Sequence, residues 1–196
     1  MANLCERKII KIAEAEIEKF AKEWAKTPYA WESEADIHAE LYMRIKSHVN
    51  KKYPPAEHKS CWKENGKIEL FKEVFDWVYC KPKTYIKAMN NCCYPDLAIY
   101  KEKTSGHPIK ERENEPMLWV CEIKYITDWS SLLSIESIEN DIKKLTQLLN
   151  QKKDGTEYAC YLIFRRNITF NKNIEKIFKV MDKKIKFRHY EVGDEK

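Results

Sequence analysis

The sequence predicts an α/β fold in which helices flank a central β-sheet. Two observations support this prediction. Apolar residues recur at helical spacing in residues 3–49, and short apolar runs typical of strands follow in the rest of the chain. The later elements run strand, connector, strand, helix, strand, helix and strand, which is the order of an α/β core. The chain has 196 residues, so we expect a single domain over residues 1–196.

Two amphipathic helices are predicted at the start of the chain. In residues 3–26, apolar side chains recur every three or four positions among glutamates and lysines. Thr27 and Pro28 end this pattern. A second helix is predicted over residues 33–49, with Ser33 as its N-cap.

The remaining elements are predicted from the same patterns. Residues 51–66 are polar and contain two consecutive prolines, so a loop is predicted there. Residues 67–80 fit a helix by periodicity and a strand by aromatic content, and the sequence leaves that choice open. The other predicted elements are strands at 85–89, 95–100, 116–125 and 157–165, a helix at 134–151 and, within the C-terminal part 171–192, a helix at 172–182 and a strand at 185–192.

Composition narrows the class of protein. Charged residues make up 34% of the chain, but the 43% hydrophobic and 12% aromatic content argues against disorder. The formal net charge of +5 permits a polyanionic partner without requiring one. No apolar run approaches the roughly 18 residues that span a bilayer, so we expect no membrane role.

The cysteines indicate the compartment. There are seven, an odd number at irregular spacings, and the N-terminal segment lacks the apolar stretch of a secretory signal. We therefore expect a cytoplasmic, intracellular protein with free thiols. A cluster site built from Cys61, Cys80, Cys92 and Cys93 is the alternative, but no Cys-x-x-Cys spacing supports it.

Residues 116–125 form an apolar predicted strand that carries two charges, Glu122 and Lys124. Because strand side chains alternate, both charges project from one face, while Cys121 and Ile123 project from the other. Burying an unpaired ion is costly, so both charges need partners. An ion pair would suffice, but a carboxylate and an amine at this spacing, beside a second acid, also describe a divalent-metal site.

The second acid is Asp96, which follows Pro95 at the start of another predicted strand. Pro-Asp followed by Glu-x-Lys on the next apolar strand resembles the PD-(D/E)xK nuclease superfamily. Glu-x-Lys also occurs at 6–8 and 57–59, but these matches lie in a predicted helix and a predicted loop. Only the match at 122–124 lies within a predicted strand.

The resemblance implies both a fold and a chemistry. It covers residues 31–166, where it implies a restriction-endonuclease-like core with a central mixed β-sheet flanked by helices. It also implies hydrolysis of phosphodiester bonds, with Mg²⁺ or Mn²⁺ held by Asp96, Glu122 and the backbone carbonyl of Ile123. Lys124 would orient or deprotonate the attacking water, or stabilise the developing charge. The expected enzyme is a homodimeric endonuclease acting on DNA, with RNA as the open alternative.

A helical glutamate is the fourth expected catalytic and metal-binding residue. On the predicted helix 33–49, Glu34 falls on the apolar stripe, whereas Glu40 lies about 120° away. Many members of this superfamily point a helical Glu at the metal site, so Glu34 is favoured and Glu40 is the alternative. Glu34 could instead simply favour the N-terminal helix dipole. His38, near the same stripe, is interpreted as a hydrogen-bonded core residue rather than a ligand.

Basic residues later in the chain are candidates for nucleic-acid contact. Lys143 and Lys144 lie in an Asp-x-x-Lys-Leu segment of the helix 134–151, and nucleases of this superfamily often carry a similar segment there. Arg165 and Arg166 end the next predicted strand and are further candidates. An exposed helix face explains the two lysines equally well.

Two other classes of function stay open. One is a nucleic-acid-binding or assembly protein that keeps the fold without cleavage. The other is a structural protein in which Asp96, Glu122 and Lys124 merely pair. The intact motif favours the nuclease, and a divalent-metal titration without substrate separates the three, because only the nuclease requires a preformed carboxylate pair.

Overall fold

The structure of the protein is a computed structural model, which describes residues 4–54, 56–64, 67–75, 77–81, 84–86, 91–101, 117–127, 135–151, 156–166, 176–179 and 181–192. The helices are α1 (Leu4–Lys26), α2 (Glu34–Lys52) and α3 (Ile135–Asn150), with a 3-10 turn at Pro28–Ala30. The strands are β1 (Ala56–Glu64), β2 (Lys67–Phe75), β3 (Val78–Cys80), β4 (Thr84–Ile86), β5 (Asn91–Cys93), β6 (Leu97–Tyr100), β7 (Met117–Ile126), β8 (Tyr158–Arg166) and β9 (Ile185–Val192).

The centre of the fold is a five-stranded mixed sheet in the order β3-β6-β7-β8-β9. The pairs β3-β6 and β6-β7 are antiparallel, whereas β7-β8 and β8-β9 are parallel. Parallel strands cannot be joined by a tight turn, and α3 is the crossover between β7 and β8. The predicted α/β fold is therefore confirmed.

Different helices cover the two faces of this sheet. On one face, Phe164 of β8 makes edge-to-face contacts with Phe20 and Trp24 of α1, and the ring centroids are 5.3 Å apart in both pairs. On the other face, Glu122 of β7 contacts Lys144 of α3. Strand β7 is buried along nearly its whole length. Charged side chains on this strand are therefore held in largely desolvated surroundings.

A capping box fixes the start of α2. Ser33 Oγ accepts a hydrogen bond from the Asp36 N–H at 3.2 Å, and the Asp36 carboxylate accepts one from the Ser33 N–H at 2.8 Å. Ser33 Oγ also donates a hydrogen bond to the Asp36 carboxylate at 2.9 Å, and the hydrogen bonds that this carboxylate accepts from the Ser33 side chain and backbone lower the pKa of Asp36. Because Glu34 is the first residue of α2, the cap also sets where the Glu34 side chain leaves the helix.

Replacing Ser33 with alanine is expected to reduce the free energy of unfolding by about 1 kcal/mol, because the helix loses its N-cap acceptor. Urea unfolding followed by circular dichroism measures this change. Ser47→Ala, at an exposed position within the same helix, is the matched control and should leave the stability unchanged or slightly raised. Equal losses from both substitutions would contradict the capping role of Ser33.

The loop predicted over residues 51–66 is wrong, because β1 occupies most of this segment and pairs with β2 as an antiparallel hairpin. Glu64 pairs with Lys67, so only Asn65 and Gly66 separate the two strands in the sequence. Asn-Gly is the dipeptide most typical of two-residue hairpin connections. This signal outweighs the polar composition on which the loop was predicted.

The other predicted elements lie near their expected bounds. Within residues 67–80, which the sequence left open, the structure has the strands β2 and β3, with Trp77 in a bend between them. Strand β4 covers the start of the strand predicted at 85–89, and the end of that predicted strand lies outside the described residues. Most of the connection 101–115 also lies outside them. In the C-terminal part, residues 176–179 are helical and the predicted final strand is β9. Among the helices of the described ranges, none has the length and apolar character to cross a membrane.

Candidate metal and active site

Strand β7 extends beyond its partner β6, and the candidate site lies at this step. The register with β6 ends at Cys121, so within the described ranges no strand carbonyl lies opposite the next N–H groups on that edge of β7. Asp96 Oδ2 accepts the Ile123 N–H at 2.8 Å. Glu34 Oε2 accepts the Tyr125 N–H at 3.3 Å. Buried backbone N–H groups require acceptors. At this edge of β7 the acceptors are two carboxylates, that of Asp96 just before β6 and that of Glu34 in α2.

Glu34, His38 and Asp96 form a group that could hold a metal ion, here called the acid–histidine cluster. One ligand atom from each residue lies within 4.8 Å of the others. His38 Nε2 is 3.4 Å from Asp96 Oδ2 and 3.8 Å from Glu34 Oε1. His38 and Asp96 are buried and Glu34 is partly exposed. The cluster is therefore accessible to solvent on the side of Glu34.

The surroundings of the His38 ring favour its neutral form. Burial lowers the pKa of His38, and the neighbouring Asp96 and Glu34 carboxylates offset this only in part. A neutral imidazole is the form that ligates a metal. The sequence favoured a hydrogen-bonded core histidine, and the ring is indeed buried, but it also faces two acids.

A second group of charges, here called the carboxylate–lysine cluster, joins β7 to α3. It contains Glu122 and Lys124 from β7 and Asp141 and Lys144 from α3. Lys144 Nζ lies 2.7 Å from Glu122 Oε1 and 3.4 Å from Asp141 Oδ1. Lys124 Nζ lies 3.0 Å from Asp141 Oδ2 and 4.0 Å from Glu34 Oε1. Asp141 thus bridges two ammonium groups, and Lys124 links this cluster to the acid–histidine cluster.

The surroundings shift the pKa of each partner in the carboxylate–lysine cluster. Burial, together with neighbouring carboxylates, raises the pKa of Glu122 well above its ordinary value, although Lys144 opposes this effect. Burial alone would lower the pKa of Lys124, but Asp141 and other carboxylates outweigh it and raise the pKa. The pKa of Lys144 is raised in the same way, chiefly by Glu122. Both lysines are therefore protonated at neutral pH.

The metal ligands predicted from the sequence are brought together in part. Glu122, predicted to share an ion with Asp96, lies outside the acid–histidine cluster, and its carboxylate pairs with Lys144. The backbone N–H of Ile123, whose carbonyl was predicted as a further ligand, donates a hydrogen bond to Asp96. The imidazole of His38 is present where the sequence predicted only oxygen ligands.

The two candidate helical acids have different partners. Glu34 belongs to the acid–histidine cluster. Glu40 lies 2.5 Å from the Arg44 guanidinium, which also contacts Glu23 at 2.6 Å. Glu40 therefore belongs to an ion-pair network between α1 and α2, away from the cluster.

The basic residues predicted to contact nucleic acid also differ in their surroundings. Lys143 is exposed on α3, whereas Lys144 is half-buried in the carboxylate–lysine cluster. Arg165 is buried and pairs with a glutamate of β9. The guanidinium carbon of Arg166 lies 4.3 Å from the ring centroid of Tyr29, whose side chain is exposed. Lys143 and Arg166 are therefore the more accessible of the four.

Asp141 and Tyr161 also lie at the site; the sequence placed Asp141 in the Asp-x-x-Lys-Leu segment without giving it a partner, and it did not single out Tyr161. Asp141 and Lys144 are three residues apart, which puts them on one helix face, and this spacing was the available signal. Tyr161 of β8 lies beside Glu122 in the strand register and is fully buried. Its hydroxyl has no hydrogen-bond partner among the described residues. Burial and the surrounding acids raise the pKa of Tyr161.

Comparison of the chain with family models, curated proteins and solved structures found no match. The α/β fold, the five-stranded mixed sheet and the buried acid–histidine cluster are therefore described from this chain alone. The link to nucleases depends on the strand motif and on the geometry of the side chains around it.

Proposed function

We propose that this protein is a metal-dependent nuclease of the PD-(D/E)xK type, an endonuclease that hydrolyses phosphodiester bonds in DNA. The observation that carries the proposal is the convergence of Glu34, Asp96 and Lys124 at the step where β7 extends beyond β6. These residues come from helix α2, from the bend that precedes β6 and from strand β7. The two acids, with the His38 imidazole beside them, could hold a metal ion, and the ammonium group adds positive charge; both features assist phosphodiester hydrolysis.

The acid–histidine cluster fits a divalent ion, which Glu34, His38 and Asp96 would hold. Its two carboxylates supply hard oxygen donors, and the buried imidazole supplies a nitrogen donor. Carboxylates suit Mg²⁺ and Mn²⁺, whereas imidazole suits transition ions, so Mn²⁺ is the better match and Mg²⁺ the alternative. When bound, such an ion supplies positive charge at the phosphate and lowers the pKa of a water molecule.

Lys124 acts through its positive charge rather than as a base. Its raised pKa keeps the ammonium group protonated at neutral pH, and Asp141 holds that group at 3.0 Å. Negative charge accumulates on the phosphate oxygens as the nucleophile attacks. An ammonium group fixed beside the acid–histidine cluster stabilises this charge in the transition state.

Three accessible side chains suit a nucleic-acid substrate. Lys143 and Arg166 provide positive charge for phosphates, and the exposed Tyr29 ring provides a surface on which a base can stack. Cleavage of both strands of a duplex would require two such sites. A two-fold homodimer supplies them.

The purified protein is expected to nick supercoiled plasmid in Mn²⁺ or Mg²⁺ and to lose this activity in EDTA, because the acid–histidine cluster would then be without an ion. Single-stranded DNA and RNA in parallel reactions define the substrate. Glu40→Gln is the matched control, since Glu40 pairs with Arg44 outside the cluster, and it should nick the plasmid at the wild-type rate. Binding of DNA without cleavage in any metal would contradict the proposal and favour a non-catalytic nucleic-acid-binding protein.

A further inference from the structure

The ammonium group of Lys144 lies between two carboxylates inside the protein. Its Nζ is 2.7 Å from Glu122 Oε1 and 3.4 Å from Asp141 Oδ1. The side chains of Lys144, Glu122 and Asp141 are only 18%, 2% and 14% exposed. Carboxylate oxygens around a buried cation are the arrangement that a second divalent ion takes in two-metal phosphodiesterases. Here a lysine supplies the cation.

The two charge clusters differ in net charge. The carboxylate–lysine cluster contains two carboxylates, Glu122 and Asp141, and two ammonium groups, Lys124 and Lys144, so it is neutral when all four are ionised. The acid–histidine cluster contains two carboxylates and an imidazole, and the ammonium group of Lys124, although 4.0 Å from Glu34 Oε1, lies closer to Asp141 Oδ2, at 3.0 Å. Uncompensated buried charge is costly. Of the two clusters, the acid–histidine cluster has the larger excess of carboxylates over closely paired ammonium groups, so it is the better place for a divalent ion.

We propose that Lys144 takes the place of a second metal ion, so that the protein binds one divalent ion per chain. This inference rests on the proposed function, because it takes the acid–histidine cluster to be the metal site. Glu122 then holds Lys144 in position and does not ligate the ion. Because the lysine is covalently attached, this cation stays in the site at any metal concentration, and cleavage depends on a single ion.

The number of Mn²⁺ ions bound per chain tests this inference, measured by calorimetric titration and by electron paramagnetic resonance of the free ion. One ion is expected on the wild-type protein. Lys144→Met keeps an unbranched side chain but removes the ammonium group, so the carboxylates of Glu122 and Asp141 become available as metal ligands. Two bound ions are expected on this variant. Lys143→Met is the matched control at the neighbouring exposed position, and one ion is expected.

Two ions on the wild-type protein, or one ion on a folded Lys144→Met variant, would overturn the inference and leave the proposed function standing. No ion on the wild-type protein would overturn both. If Lys144→Met does not fold, Glu122→Gln provides the test, since it removes the carboxylate and keeps the lysine. One ion with unchanged affinity is then expected, and a loss of about tenfold or more in Mn²⁺ affinity would identify Glu122 as a ligand.

Discussion

Replacing Lys124 with alanine is expected to slow DNA cleavage by about 10²- to 10⁴-fold at saturating metal and DNA. The ammonium group is fixed by Asp141 at 3.0 Å and stays protonated, so its interaction with the reacting phosphate strengthens as charge develops. When an interaction forms only in the transition state, its removal lowers the rate constant of cleavage and leaves the affinities for metal and DNA unchanged. Single-turnover plasmid cleavage measures the rate, and titrations with Mn²⁺ and with DNA in Ca²⁺ should give affinities near those of the wild-type protein.

Lys143→Ala is the matched control for this result. Lys143 is exposed on α3, so its removal should weaken DNA binding, make the salt dependence of binding shallower and leave cleavage at saturation unchanged. If Lys124→Ala cleaved DNA at the wild-type rate, the Glu-x-Lys segment of β7 would be a structural ion pair instead.

Asp96→Asn is expected to abolish both Mn²⁺ binding and cleavage. The substitution removes one of the two negative charges of the acid–histidine cluster, and hard divalent ions depend on carboxylate ligands. The asparagine carbonyl can still accept the Ile123 N–H that Asp96 now accepts at 2.8 Å. The fold should therefore persist, which thermal unfolding followed by circular dichroism checks alongside calorimetric titration with Mn²⁺.

Glu40→Gln is the control for loss of a carboxylate on a helix beside the site. Glu40 contacts Arg44 rather than the cluster, so Mn²⁺ affinity should be unchanged. Undiminished Mn²⁺ binding by Asp96→Asn would mean that the ion binds elsewhere and that Asp96 serves only the backbone of β7.

Local sequence patterns were sufficient for most of the fold. Helices α1, α2 and α3 were predicted because each buries one apolar stripe, and β7 and β8 because each is a continuous apolar run between turn residues. Strand β1 was missed because its sequence is largely polar and its pairing with β2 is an interaction between backbones. The Asn65-Gly66 dipeptide was the one local sign of that hairpin.

The candidate site was predictable only where a single element determines it. Asp96 follows from its place at the start of a strand, Glu34 from its helical stripe, and Lys124 from strand alternation. The contact of His38 with Asp96 depends on how α2 docks against the sheet, and periodicity does not fix that distance. The pairing of Glu122 with Lys144 likewise depends on the docking of α3. Alternation predicts the face on which Glu122 lies but not the cation that meets it there.

Cleavage of supercoiled plasmid in Mn²⁺ by the wild-type protein, Lys124→Ala and Asp96→Asn, purified in parallel, tests the nuclease assignment most directly. Nicking by the wild-type protein alone, abolished by EDTA, is the expected result, because both substitutions remove groups that meet at the β7 step. Equal nicking by all three proteins, or no nicking by a wild-type protein that binds Mn²⁺, would contradict the assignment of a nuclease centre to this site.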